Sequence, residues 1–171
     1  MTDYPLPDEY APYYFSYIRL VPKESDIRAF LTQQQGELEG FFRNIPSDKY
    51  DFRYQPEKWS LKEVLGHILD TERIMTYRAL RIGRGDETPI EGFEQDGYIP
   101  TGGFANRSWE NLLGEFSTVR ASTLSLIQNM PDEGLLQLGI ANGKPVSCRA
   151  VFYIIAGHAL YHRQIIEEKY L

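Results

Sequence analysis

Four runs of apolar residues at helical spacing dominate the sequence, and each is bounded by residues that start or stop helices. In the first, Ile27, Phe30, Leu31, Leu38, Phe41, Phe42 and Ile45 recur at separations that keep one helical face apolar, and Pro46 closes the run. The second opens on Ser60-Leu61-Lys62-Glu63, a capping box in which the Ser60 hydroxyl accepts from the Glu63 N–H and the Glu63 carboxylate accepts from the Ser60 N–H. Its stripe of Leu61, Val64, Leu65, Ile68, Met75, Ala79 and Ile82 ends at Gly83. Ser108 caps the third, with Trp109, Leu112, Leu113, Phe116, Val119, Leu126, Ile127 and Met130 on one face and Pro131 beyond it. Ser147 caps the fourth, where Val151, Ile154, Ile155, His158, His162, Ile165 and Ile166 share a face. No β-alternating run of convincing length competes with them. The predicted class is all-α: a four-helix bundle whose stripes bury one another.

The 171 residues suit a single domain spanning 1–171. A chain of this length buries roughly 70% of its unfolded surface, so it folds without disulfides or a structural metal, and any metal serves function. Residues 1–22 hold Pro5, Pro7, Pro12 and Pro22 among six aromatic residues. They are expected to form an extended arm laid over the body, with a short helix around Pro12 to Ile18. Residues 83–107 are rich in glycine, lack a period and make a long crossover loop between the second and third helices. Phe93, Tyr98 and Phe104 give this loop something to pack, so it is expected to be ordered. Asn142-Gly143-Lys144-Pro145 signals a turn before the fourth helix.

A net charge of -6 argues against a protein that lives on nucleic-acid phosphates. The most apolar run, Val151 to Leu160, is too short for a membrane span and is broken by His158. The acidic, proline-broken opening does not read as a signal peptide, so no leader is expected, and the lone Cys148 has no intramolecular partner. A soluble, cytoplasmic protein with a small-molecule substrate is the expectation.

All three histidines fall on predicted helices. His158 and His162 stand four apart, so their rings stack on one helical face and can chelate one ion. His67 borders the apolar stripe of the second helix and joins them if the second and fourth helices are neighbours. Three converging imidazoles leave coordination positions open, as a catalytic ion requires. On its own, a pair four apart is equally compatible with imidazoles satisfied in a core or on a surface. The segment lacks the glutamate of an HExxH metalloprotease, and no Glu precedes a histidine by three as in di-iron bundles.

The stretch Trp59-Ser60-Leu61-Lys62-Glu63-Val64-Leu65-Gly66-His67-Ile68-Leu69-Asp70-Thr71-Glu72-Arg73, with Gly157-His158-Ala159-Leu160-Tyr161-His162-Arg163-Gln164, resembles the DinB/YfiT-like family of metalloenzymes. The opening Asp8-Glu9-Tyr10-Ala11-Pro12-Tyr13-Tyr14 and Gly92-Phe93-Glu94-Gln95-Asp96-Gly97-Tyr98 resemble one branch of it. The resemblance implies a bundle of variant up-and-down topology, often a homodimer, and nickel (Ni2+) or zinc (Zn2+) on His67, His158 and His162. It also implies transfer chemistry on a small electrophile with a low-molecular-weight thiol such as bacillithiol. An open divalent site held by neutral imidazoles suits a bound thiolate and suits hydrolysis too; thiol-dependent transfer is the first expectation and metal-dependent hydrolysis the alternative. A non-catalytic binding or dimerisation module that retains the metal site is a further alternative.

Metal-bound imidazoles commonly donate their second N–H to an acid. Glu63, four before His67, and Asp70, three after it, are the candidates, although the capping box claims Glu63 and solvent suits Asp70. Tyr161 is a candidate for the cavity wall or for the core. Arg163, Arg73 and Arg78 are candidates for binding the carboxylates of an anionic thiol cofactor, or for a solvated face or surface ion pairs. Trp59 reads as a hydrophobic staple, and Cys148, at a helix start, as a thiol of lowered pKa.

Overall fold

Every one of the four apolar stripes is a helix that begins on its polar cap. The computed structural model describes residues 4–171. Two 3-10 turns, Pro7–Glu9 and Pro12–Tyr14, lead into α1 (Phe15–Ile18), followed by α2 (Ile27–Arg43) and α3 (Leu61–Gly83). Next come α4 (Gln95–Gly102), α5 (Trp109–Gln128), α6 (Asp132–Leu135), the strands β1 (Leu138–Ala141) and β2 (Lys144–Ser147), and α7 (Cys148–Lys169). The Asp26 carboxylate accepts from the N–H groups of Arg28 and Ala29. Both halves of the Ser60/Glu63 capping box are formed. Ser108 and Ser147 accept from Asn111 and Ala150. Each such cap contributes about 1 kcal/mol.

The four long helices, α2, α3, α5 and α7, enclose two apolar clusters. One gathers Leu31, Met75, Ile127 and Phe152, and the other Leu38, Leu65, Phe116 and Ile166. A buried polar layer separates them along the chain on every helix. Arg120, wholly buried, donates from Nε and Nη2 to the two Glu72 oxygens at 2.8 and 2.9 Å and from Nη1 to Gln34 Oε1 at 2.7 Å. Gln34 Nε2 in turn donates to the Ala156 carbonyl at 2.9 Å. This single network therefore joins α5, α3, α2 and α7.

The arm packs on α7 as expected for its described part; residues 1–3 lie outside the described residues. Its attachment is specific. Glu9 accepts from Ser147 Oγ at 2.6 Å and from Arg149 Nε at 2.8 Å, and Arg149 Nη2 closes the pair. Burial alone raises the Glu9 carboxyl, but the hydrogen bonds from Arg149 and Ser147 hold it below its usual range. Further on, α1 crosses α7 at Gly157. A Cβ there would stand 2.1 Å from the Tyr17 carbonyl oxygen, so only glycine admits this approach.

Two local features depart from the sequence reading. The crossover contains α4, capped by the Glu94 side chain on the Asp96 N–H and stopped at Gly103, whose φ of 66° is left-handed. It escapes periodicity because Ile99 is its only buried residue and Pro100 lies inside it. The crossover is anchored by Phe104, whose ring occupies the space over Gly66, where a Cβ would come within 2.3 Å. The second departure is the antiparallel pairing of β1 and β2, with Leu138 opposite Ser147 and Ala141 opposite Lys144. The turn between them was legible, with Asn142 and Gly143 at φ 50° and 68°, but four-residue strands are too short to show an alternation. Among the described residues, no helix is long and apolar enough to cross a membrane.

Glu72→Ala leaves the Arg120 guanidinium buried without its carboxylate and is expected to cost about 3–5 kcal/mol in urea unfolding. Gly157→Ala forces α1 away from α7. The expected result is a loss of about 1–3 kcal/mol together with faster proteolysis confined to residues 4–22, read by mass spectrometry.

Candidate metal centre

The capping box fixes where α3 begins, and therefore which way its second turn faces. His67 lies there, opposite the middle of α7. His158 and His162 occupy successive turns of α7 on the face that meets α3, as their spacing requires. The three rings converge. His67 Nε2 is 3.0 Å from His158 Nε2, and His162 Nε2 is 3.1 Å from the same atom. The three candidate ligand atoms lie within 4.8 Å of one another.

All three imidazoles are buried, with exposures of 4%, 5% and 9% for His67, His158 and His162. Burial pushes His67 down to about 4. Burial, with the neighbouring imidazole His67, pushes His162 down to about 3. His158 is also lowered well below its ordinary value, by burial first and then by the two other rings. The rings are therefore neutral near pH 7, each with a lone pair to give.

Such a donor set fits a divalent cation better than it fits itself. His158 Nε2 faces two other ring nitrogens, and one nitrogen carrying either a single proton or a single lone pair cannot make a good hydrogen bond to both. Nitrogens bound at about 2.0–2.1 Å to a common ion stand about 3.0–3.4 Å apart, which matches the two close pairs.

Aromatic rings wall the cluster. Trp59 lies 4.9 Å from the His67 ring, Tyr17 5.3 Å from His158, and Tyr161 5.4 Å from His162, between ring centres. A cavity of about 590 Å³ reaches His67 and His162, with Trp59, Tyr161, Glu57 and Asp96 in its lining. A smaller one of about 260 Å³ reaches His158, and Tyr17 and Gln95 line both.

The other sequence candidates divide. Tyr161 is 37% exposed and lines the wider cavity, so it is a wall residue and not core. Glu63 is held by the Ser60 N–H and by Arg53 at 2.7 Å. Asp70 faces Arg73 at 3.6 Å. Among the described residues no hydrogen bond joins an imidazole to either acid. Arg163 pairs with Glu167 at 3.0 Å and lies over the Phe41 ring, outside both cavity linings. Cys148 lies against the Ala79 carbonyl, and burial pushes its thiol up to about 12, opposite to the lowering expected at a helix start. Tyr17 and Gln95 were not singled out. The aromatic arm carried a signal for the first, whereas Gln95 sits in the aperiodic crossover, which gave none.

A sequence model of the DinB superfamily matches residues 31–166. The chain belongs to the DinB superfamily. Among solved structures it is similar to YfiT from Bacillus subtilis, described as a probable metal-dependent hydrolase with an unusual four-helix bundle topology. The identity is 14% and the TM-score 0.73, over 86% of this chain and 90% of that one. It is also similar to a DinB-like protein of Bacillus subtilis, YjoA, at 17% identity and a TM-score of 0.59, over 84% of this chain and 88% of that one. At these identities the likeness is one of fold, and it agrees with the bundle read from the sequence of this DinB-superfamily chain. No curated protein matches it in sequence.

The depressed imidazole pKa values set a pH dependence for the metal-free protein. Between the ordinary value of 6.5 and the folded values of about 4 and 3, the unfolded chain binds protons that the folded chain refuses. Stability is therefore complete above that ordinary value and falls as the pH drops toward the folded ones. The urea midpoint is expected to decrease between about pH 7 and pH 5, and His67→Gln to flatten that decrease.

Proposed function

We propose that this DinB-superfamily chain is a metal-dependent hydrolase of a small molecule, with His67, His158 and His162 holding a nickel or zinc ion. The observation that carries the reading is the convergence of three neutral Nε2 atoms beside an open cavity. The fold likeness to a probable metal-dependent hydrolase supports the reaction class. A divalent ion in such a site supplies Lewis acidity and a water whose pKa falls toward about 7.

The chain's own groups do the rest. Neutral imidazoles leave the full cationic charge available, where carboxylate ligands would neutralise part of it. Trp59, Tyr161 and Tyr17 hold the rings in place and restrict water around them. The wider cavity gives a small substrate access to His67 and His162, and Glu57 and Asp96 are its carboxylates. Thiol transfer with bacillithiol, implied by the resemblance, is the second reading, and the likeness to a probable metal-dependent hydrolase favours hydrolysis over it.

Protein purified without a histidine tag is expected to carry a stoichiometric divalent ion by elemental analysis, and His162→Ala to lose most of it while staying folded. The loaded protein is expected to hydrolyse an ester, amide or phosphoester reporter, with activity lost on chelation. Substoichiometric metal that His162→Ala leaves unchanged overturns the metal reading. Turnover seen only when bacillithiol, mycothiol, glutathione or coenzyme A is supplied with an electrophile overturns hydrolysis in favour of transfer.

A further inference from the structure

Among the described residues three arginines are buried, Arg78, Arg120 and Arg149, and two of them are neutralised in place. Arg120 is gripped by both oxygens of Glu72, and Arg149 by both oxygens of Glu9. Arg78, on α3, is only 3% exposed, yet it forms no ion pair with a carboxylate among the described residues. Its Nη2 donates to the Glu91 carbonyl at 3.1 Å. Its Nη1 has only the Tyr14 hydroxyl at 3.5 Å and the Met75 sulfur at 3.8 Å. Its Nε has no partner. A guanidinium does not lose its proton in a protein, so the charge persists, and a buried charge without a counter-ion is costly.

Arg78 lines the smaller cavity, of about 260 Å³, which also reaches His158. Among the described residues no Asp or Glu lines it, so Arg78 is the one formal charge they give it, beside a neutral imidazole. Two buried side-chain atoms among the described residues lack a hydrogen-bond partner, Arg78 Nε and Thr71 Oγ1, and both belong to residues lining this cavity. Thr71 is 5% exposed. Along α3, His67, Thr71, Met75 and Arg78 follow one another on one face, over about 16 Å of helix axis. A histidine of the cluster, an unpartnered hydroxyl and an unpaired cation thus lie in a row. The Phe93 ring, 5.7 Å from the guanidinium carbon, covers the cation.

We propose that Arg78 and Thr71 bind an oxyanion, a carboxylate or phosphate at one end of the substrate, with its reacting end directed to the histidines. The orientation of the substrate rests on the metal-site reading above, whereas the oxyanion site does not. The guanidinium supplies a charge-assisted donor from Nε, and the Thr71 hydroxyl a neutral one. In a chain of net charge -6, a single buried cation that no internal acid satisfies selects an anionic ligand and rejects the neutral analogue. The substrate class is therefore small acids.

The test uses chelator-treated protein, so that an anion has no metal to bind and the outcome is independent of metal content. Phenylacetate, phenyl phosphate and neutral phenylacetamide are titrated while the arginine Nε–H resonances are followed by NMR. The expected result is that the resonance missing from Arg78→Lys moves with phenylacetate or phenyl phosphate and stays still with phenylacetamide. Which of the two anions moves it identifies the oxyanion. Calorimetric affinity for that anion is expected to fall about tenfold in Arg78→Lys and about threefold in Thr71→Val, with Arg163→Gln unchanged. The same wild-type resonance, assigned independently by its nuclear Overhauser contacts to Phe93 and Met75, decides the matter even if a variant fails to fold. A stationary Arg78 resonance with both anions, or equal binding of phenylacetamide, overturns the proposal.

Discussion

The contact on which the arrangement depends is the buried junction of Arg120, Glu72, Gln34 and the Ala156 carbonyl. Apolar stripes on four helices fix which faces meet, but they tolerate sliding by a turn, because Leu, Ile and Phe pack against one another without direction. Hydrogen bonds do have direction. A guanidinium with both ends of one carboxylate on one side and an amide oxygen on the other admits one axial position for α3 and α2 against α5. Gln34 then sets α7 by its grip on Ala156. Glu72 is five residues beyond His67 and Ala156 two before His158, so the same junction that registers the helices also registers the histidines. Such a device need not add net stability over an apolar layer; its effect is on specificity of alignment.

The arm completes what the bundle begins. Without it, the face of α7 that carries Gly157 and His158 lies open. The Glu9 pair with Arg149 and the close crossing at Gly157 bring Tyr17 over the His158 ring and leave Tyr17 as a shared wall between the two cavities. A segment of some twenty residues thus shields one side of the cluster, and a methyl group in place of one Gly157 hydrogen would undo that. Cys148 is buried against the end of α3, which is why its position at a helix start does not activate it: burial outweighs the helix terminus.

The four long helices were legible because each carries several buried residues in phase, bounded by a cap and a breaker. The histidine set was legible as spacing on α7 together with an offset from a known cap on α3. What escaped the sequence has a common cause. Helix α4 buries only Ile99, and β1 and β2 are four residues each, so neither repeats a pattern long enough to detect. The place of Glu63 in the capping box was legible, as was Arg73 one turn from Asp70 on the same helix; what escaped is Arg53, which reaches Glu63 from the link before α3, where no periodicity marks it. Arg78 was one of three plausible arginines in the sequence. Only the surroundings distinguish it, since Arg73 and Arg163 have carboxylate partners and Arg78 has none among the described residues.

Three buried imidazoles with their nitrogens pointed at one another are a poor way to stabilise a protein, because each loses hydration and none gains a full set of hydrogen bonds. The fold carries them on the strength of two apolar clusters, above and below, that are complete without a cation. This separates the chain from small metallo-domains, where the ion is the core and its removal unfolds the protein. Here the frame is rigid first and the donor set follows from it. The unpaired Arg78 obeys the same logic. Its charge is buried at the expense of the surrounding core, and it stays in place because Glu91 and Phe93 fix the side chain while leaving Nε unused. Under the two readings proposed above, the same preorganisation serves an ion at the imidazoles and an anion at the guanidinium.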